Sequence, residues 1–182
     1  DYRIAYVDNA TTGHSLAGDV IDEEALQSNV SGVVVVSDQR EMWTTGIRPS
    51  TLAHQGNASV QVGGVGWREG VEAQRQGWSV VGNDSAYVVD LVVDSERTRS
   101  YTGDAVRADL RVDGHSVTVV PREDDFGLRV AENGTAVGTA AIPEVNGTTA
   151  AGPLTFVTEE RGDEVALVAA SDGTRVRIAT RD

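Results

Sequence analysis

Apolar and polar residues alternate with a period of two over most of the chain, the pattern of half-buried strands rather than helices. "DYRIAYVD" sets Tyr2, Ile4 and Tyr6 on one face and Arg3, Ala5 and Val7 on the other. "SGVVVVSD" (residues 31 to 38) replaces alternation by four consecutive valines, which predicts a strand covered on both faces. "NASVQVGGVGW" and "GWSVVGNDSAYVVDLVVD" continue the Val-rich pattern with glycine punctuation. Three later stretches read as hairpins, turning at Asp113-Gly114, at Asn133-Gly134 and around Ser171-Asp172-Gly173. Asn-Gly and Asp-Gly are strong hairpin signals because both residues tolerate φ > 0.

Only "VIDEEALQSNV" has a helical pattern, which predicts one short helix near residues 22–28, with Asp22 as N-cap and acidic residues in the first turn. The predicted fold is therefore all-β, an antiparallel β-sandwich of Ig-like or jelly-roll-like type. A chain of 182 residues can bury one sizeable core, so residues 1–182 are read as a single sandwich domain. The alternative is two small β domains, 1–94 and 95–182, joined by the polar stretch "DSERTRSYTGD" at 94 to 104.

Charge narrows the setting. There are 28 acidic residues against 15 basic ones, every basic residue is Arg, and the formal net charge is −13. Phosphate backbones and anionic membrane surfaces would be repelled, so no nucleic-acid partner is expected. No run of 18 apolar residues occurs, and direct membrane insertion of this segment is not expected either. A GC-rich genome, as in an actinobacterium, also favours Arg over Lys, but complete absence of Lys beside abundant Asp, Glu, Ala, Val, Gly and Thr points rather to a halophilic archaeon. In concentrated salt the Debye length falls to about 3 Å, and a carboxylate-rich surface stays hydrated without destabilising the compact state. Cysteine is absent, which removes disulfides and thiolate metal sites. The chain opens Asp1-Tyr2-Arg3 without an initiator Met and is read as a mature secreted chain or an ectodomain.

The asparagines carry the strongest signal. There are six, Asn9, Asn29, Asn57, Asn83, Asn133 and Asn146, and each is followed two positions later by Ser or Thr, with no intervening Pro. With Ser and Thr at roughly 15 % of residues, that coincidence has a chance on the order of 10⁻⁵ for the N-glycan acceptor pattern. Turn-forming residues cluster in any case, and a hairpin tip is also the exposed loop a glycan needs.

No catalytic constellation accompanies these sites. "GHSLAG" (Gly13 to Gly18) resembles the nucleophile elbow of α/β-hydrolases over six residues, but Ala17 stands where that motif has Gly and only a dozen residues precede it. His14, His54 and His115 are far apart and lack metal-ligand spacing. "REDDF" (Arg122 to Phe126) and "DEE" (Asp22 to Glu24) offer oxygen ligands without the order of a Ca²⁺ loop. "GGVGWREG" (residues 63 to 70) lacks the Lys and the following helix of a phosphate loop, and reads as a loop or bulged strand. Trp43, Trp67 and Trp78 read as core or interface anchors. Neither enzyme activity, nor a cofactor, nor a metal site is expected.

These observations together predict a secreted, N-glycosylated, acidic cell-surface protein with a structural role, such as the subunit of an extracellular filament, pilus or surface layer. Its partners would be further copies of itself or other surface proteins. The alternative is a ligand- or partner-binding ectodomain of a membrane-anchored surface protein. For a filament subunit, the N-terminal strand with Tyr2, Ile4 and Tyr6 would be the segment donated to a neighbour's open sheet edge. The charge excess has a direct consequence. Between 0.01 M and 1 M salt the Debye length contracts from about 30 Å to about 3 Å. Calorimetry across that range is expected to raise the melting temperature by more than about 5 °C; a salt-independent melting temperature would refute the halophilic origin.

Overall fold

The computed structural model describes residues 2–8, 31–37, 42–64 and 66–182. Its elements are β-strands, all in antiparallel sheets, and one short helix; one of the sheets curls into a half-barrel. The chain forms two compact units, Asp1–Arg75 with Val89–Tyr101, and Gln76–Val88 with Thr102–Asp182.

The first unit begins with β1 (Arg3–Val7), β2 (Gly32–Ser37) and β3 (Met42–Ile47), a three-stranded sheet with β2 in the centre. The central position explains why Val33, Val34 and Val35 are buried in succession, as the unbroken valine run predicts. β1 pairs with β2 from Arg3↔Val36 to Val7↔Gly32. Tyr6 is buried, with its ring 5.3 Å from that of Tyr101, and its N–H donates to Ser100 Oγ at 2.8 Å. The segment expected to leave for a neighbour, with Tyr2, Ile4 and Tyr6, is thus engaged within its own chain. Donation would strip five paired positions and uncover an aromatic side chain.

Next comes α1 (Pro49–Gln55), a helix that the hydrophobic pattern does not reveal. Its 7 residues bury a single apolar side chain, Leu52, so no period can develop. Its ends are nonetheless well marked. Pro49 stands at the first turn, where a missing N–H costs nothing, and Gly56 closes the helix at φ 72 with its N–H on the Leu52 carbonyl. The helix expected near residues 22–28 lies outside the described residues.

β4 (Asn57–Gly64) and β5 (Trp67–Val80) form a hairpin whose tip is "GGVGW", so this Gly-rich stretch is a turn between paired strands. A Cβ at Gly63 would stand 2.5 Å from the Trp67 carbonyl oxygen, which fixes glycine there. β6 (Ser85–Val93) and β7 (Glu96–Thr102) follow, joined by Asp94 and Ser95 at φ 48 and 67. The polar stretch 94–104 is folded, and the division between the two units falls inside it, after Tyr101. The stretch is a tight turn followed by a strand whose Glu96 and Arg97 are exposed.

The second unit is a meander of β8 (Val106–Val112), β9 (His115–Pro121), β10 (Phe126–Glu132), β11 (Thr135–Ala141), β12 (Thr148–Ala151), β13 (Leu154–Arg161), β14 (Glu164–Ser171) and β15 (Thr174–Arg181). β8 to β11 pair in order, as do β12 to β15, and β15 then pairs with the end of β5 through Ala179↔Val80 and Arg181↔Trp78. Asp113-Gly114, Asn133-Gly134 and Asp172-Gly173 each have both turn residues at positive φ, the mirror-image turn whose twist matches the flanking strands. Trp78, Leu128, Leu154, Phe156, Leu167 and Ile178 fill one core together with valines and alanines from both runs of strands. Val81, just past β5, donates to the Ile178 carbonyl and accepts from the Asp109 N–H, joining β15 to β8 through one peptide unit on each side.

β11 and β12 are not ladder neighbours, yet their backbones touch where Gly138 meets Ala151 and Gly152. Gly138→Ala forces a methyl group into that backbone contact, an overpacking expected to cost about 3 kcal/mol. Gly134→Ala meets open space and carries only the left-handed backbone penalty, about 1 kcal/mol. Denaturant unfolding of the two variants is expected to rank them in that order; equal costs would mean that the Gly138 contact gives way freely.

Candidate functional site

Four of the six acceptor asparagines lie among the described residues, and all four are exposed. Asn57 opens β4 directly after the helix-capping Gly56. Asn83 sits in the turn between β5 and β6. Its Oδ1 accepts the Asp84 N–H at 2.9 Å and its Nδ2 donates to the Arg107 carbonyl at 3.1 Å. An amide nitrogen carries two hydrogens, so one remains for substitution there. Asn133 is the first residue of its hairpin turn, at φ 49. Asn146, at φ 63, belongs to the connection from β11 to β12, where its N–H donates to the Thr158 carbonyl at 2.7 Å. The two Asn-Gly pairs thus differ: the first makes a hairpin, the second a loop between strands that do not pair. Asn9 and Asn29 lie outside the described residues.

A cleft of about 600 Å³ opens beside the first of these acceptors. Arg48, Thr51 and Gln55 line it from the start and one face of α1, Ala58 and Ser59 from β4, with Gly46 and Ile47 behind. Thr51 and Gln55 share a helix face because they are four residues apart. Sequence reasoning missed the cleft because it missed α1. The one available signal was Pro49, with Gly56 seven residues later, a start-and-stop pair without an apolar stripe between them.

The other polar cluster of the first unit is structural. Asp90 of β6 is only 5 % exposed, and its carboxylate meets Arg97 Nε at 2.9 Å and Arg99 Nε at 2.5 Å. The two arginines of β7 alternate on one strand face, so both reach a single buried acid. Exposed aromatic surface occurs nearby in the sequence: Trp67 is 40 % exposed and tilts against Tyr2 at 5.0 Å between ring centres. Trp78 is buried in the core with the Arg181 guanidinium 5.1 Å from its ring centre, as an anchor should be. The Trp43 side chain lies outside the described residues.

The remaining candidates are not brought together. His54 is exposed at the end of α1; His115 opens β9 with its Nδ1 buried and without a hydrogen-bond partner. His14, "GHSLAG" and "DEE" fall outside the described residues. In "REDDF" the Arg122 backbone N–H donates to the Asp125 carbonyl at 2.9 Å, and the Arg122 guanidinium stands 3.9 Å from the Asp125 carboxylate. Among the described residues no three His, Asp or Glu side chains group as metal ligands. On the second unit, Glu159 accepts from Arg161 at 2.8 Å and from Arg175, and the two guanidinium groups hold its carboxyl below the ordinary glutamate range. A depressed value stabilises the fold above that range and is lost as pH falls through it. The contribution is small because both arginine partners are exposed.

No protein-family model matches the chain, and neither a curated protein nor a solved structure matches it. The Asp90 cluster can be tested on its own terms. Asp90→Ala leaves two arginines without their acid and is expected to cost about 2 kcal/mol by denaturant unfolding, below the roughly 3–5 kcal/mol of a fully buried pair because both arginines reach solvent. A neutral result would show that water replaces the carboxylate at no cost.

Proposed function

We propose that this chain is a secreted, N-glycosylated, acidic cell-surface protein of a halophilic archaeon with a structural role, as a subunit of a filament, pilus or surface layer. The observation that carries the reading is the coincidence of every asparagine with an acceptor pattern, supported by the exposure of all four described ones in a turn, a loop or at a strand end. A charge of −13 supplied by Asp and Glu without a single Lys supports the high-salt setting. We read the second unit as a two-layered sandwich built by a meander, with β8 to β11 as one layer and β12 to β15 as the other. β1 pairs with β2 in its own chain, so donation of Tyr2, Ile4 and Tyr6 to a neighbour would require that pairing to be exchanged. A second reading, a ligand- or partner-binding ectodomain, is favoured by the polar cleft at α1 and by the exposed Trp67.

Intact glycopeptide mass spectrometry of native material is expected to find glycan on at least four of the six asparagines; unmodified peptides at most sites would refute the proposal. Electron microscopy and size distribution of the same material separate the two readings. A structural subunit is polymeric, whereas monomers or dimers alone would favour the ectodomain.

A further inference from the structure

We propose that the cleft beside α1 seats the innermost sugars of a glycan on Asn57 and favours a glycan bearing an anionic substituent, a carboxylate or a sulfate. The inference rests on the reading of Asn57 as an acceptor and extends it from a site of attachment to a site of binding.

Position is the first argument. Asn57 and Ser59 are both exposed and stand at alternate positions of β4, so their side chains leave the same face about 7 Å apart. Ala58 and Ser59 line the cleft, and Asn57 directly precedes them in β4. The second argument is the lining. Thr51, Gln55 and Ser59 present hydroxyl and amide groups that can donate and accept, the complement of sugar hydroxyls. Arg48 adds a guanidinium fork, which matches the planar oxygens of a carboxylate or sulfate. Among the described residues no acidic side chain lines the cleft, although the chain carries 28 of them. A cationic cleft in so acidic a protein favours an anion.

The third argument is rigidity at the point of attachment. Gly56 donates to the Leu52 carbonyl at 2.9 Å and accepts from the Arg75 N–H at 2.7 Å, which fixes the backbone immediately before the acceptor. A glycan leaving a fixed backbone loses less freedom on settling into a neighbouring cleft than one leaving a mobile tip. Arg48 precedes α1 but its side chain makes no capping hydrogen bond, so it can be replaced without uncapping the helix.

The test uses the full chain produced in a glycosylating host: wild type, Asn57→Gln, and Arg48→Gln combined with Gln55→Ala. Site occupancy is read by glycopeptide mass spectrometry and local stability by amide hydrogen exchange over residues 50–60, with residues 117–130 as the folding control. The backbone amides of 50–60 are expected to exchange at least about fivefold more slowly in wild type than in Asn57→Gln. In the Arg48/Gln55 variant Asn57 should stay glycosylated while that protection is lost. An occupied Asn57 without protection, or protection that survives the double substitution, overturns the proposal and leaves the glycoprotein reading intact. An unmodified Asn57 beside modified partners overturns it likewise. If no asparagine is modified, both fall together.

Discussion

The left-handed backbone conformation at two-residue turns is the constraint on which this structure depends. An antiparallel ladder whose side chains alternate between core and solvent tolerates no slip, because a shift of one residue turns every side chain to the wrong face. Next to each turn, two central residues at positive φ set the register of β8 on β9, β10 on β11 and β14 on β15, and each ladder then shifts register once farther along its strands. Asn and Asp tolerate that conformation through short polar side chains and glycine through having none. The small aliphatic core follows. With few aromatics to anchor the strands, valines and alanines are placed by register, and register is placed by the turns.

Closure of the second unit adds two conditions that no local pattern contains. Val81 belongs to no strand, yet its N–H and carbonyl satisfy the facing edges of β15 and β8. At the opposite seam, the Gly138 backbone touches that of Ala151 and Gly152 where no ladder forms. One seam is closed by hydrogen bonds through a single residue and the other by close approach. Both exist only once residues distant in the chain have met.

This explains which parts of the structure the sequence discloses. The all-β class, the doubly covered strand at Val33 to Val35 and the three glycine-containing hairpins follow from periodicity and turn chemistry. The hairpin at Asp94-Ser95 escapes because Ser replaces the expected Gly, so an exposed polar arm resembles a linker. α1 escapes because seven residues with one buried leucine leave no periodicity to read. The six asparagines are legible as a pattern because the N-glycan acceptor motif spans three consecutive residues. The cleft is not, because it joins a helix without an apolar stripe to a strand of ordinary alternation. Nor can composition tell that Arg122 stands beside Asp125.

The division of β5 between the two units has a consequence for synthesis. Val80 takes Ala179 as its partner, and Trp78 takes Arg181, so the end of β5 emerges from the ribosome about a hundred residues before its ladder neighbour exists. At about 5–20 residues per second the wait lasts roughly 5–20 s. Throughout that interval Trp78 and Val80, buried in the finished protein, lack the strand that covers them. The nascent chain is therefore most vulnerable to wrong pairing around the end of β5, and synthesis of β15 ends the exposure.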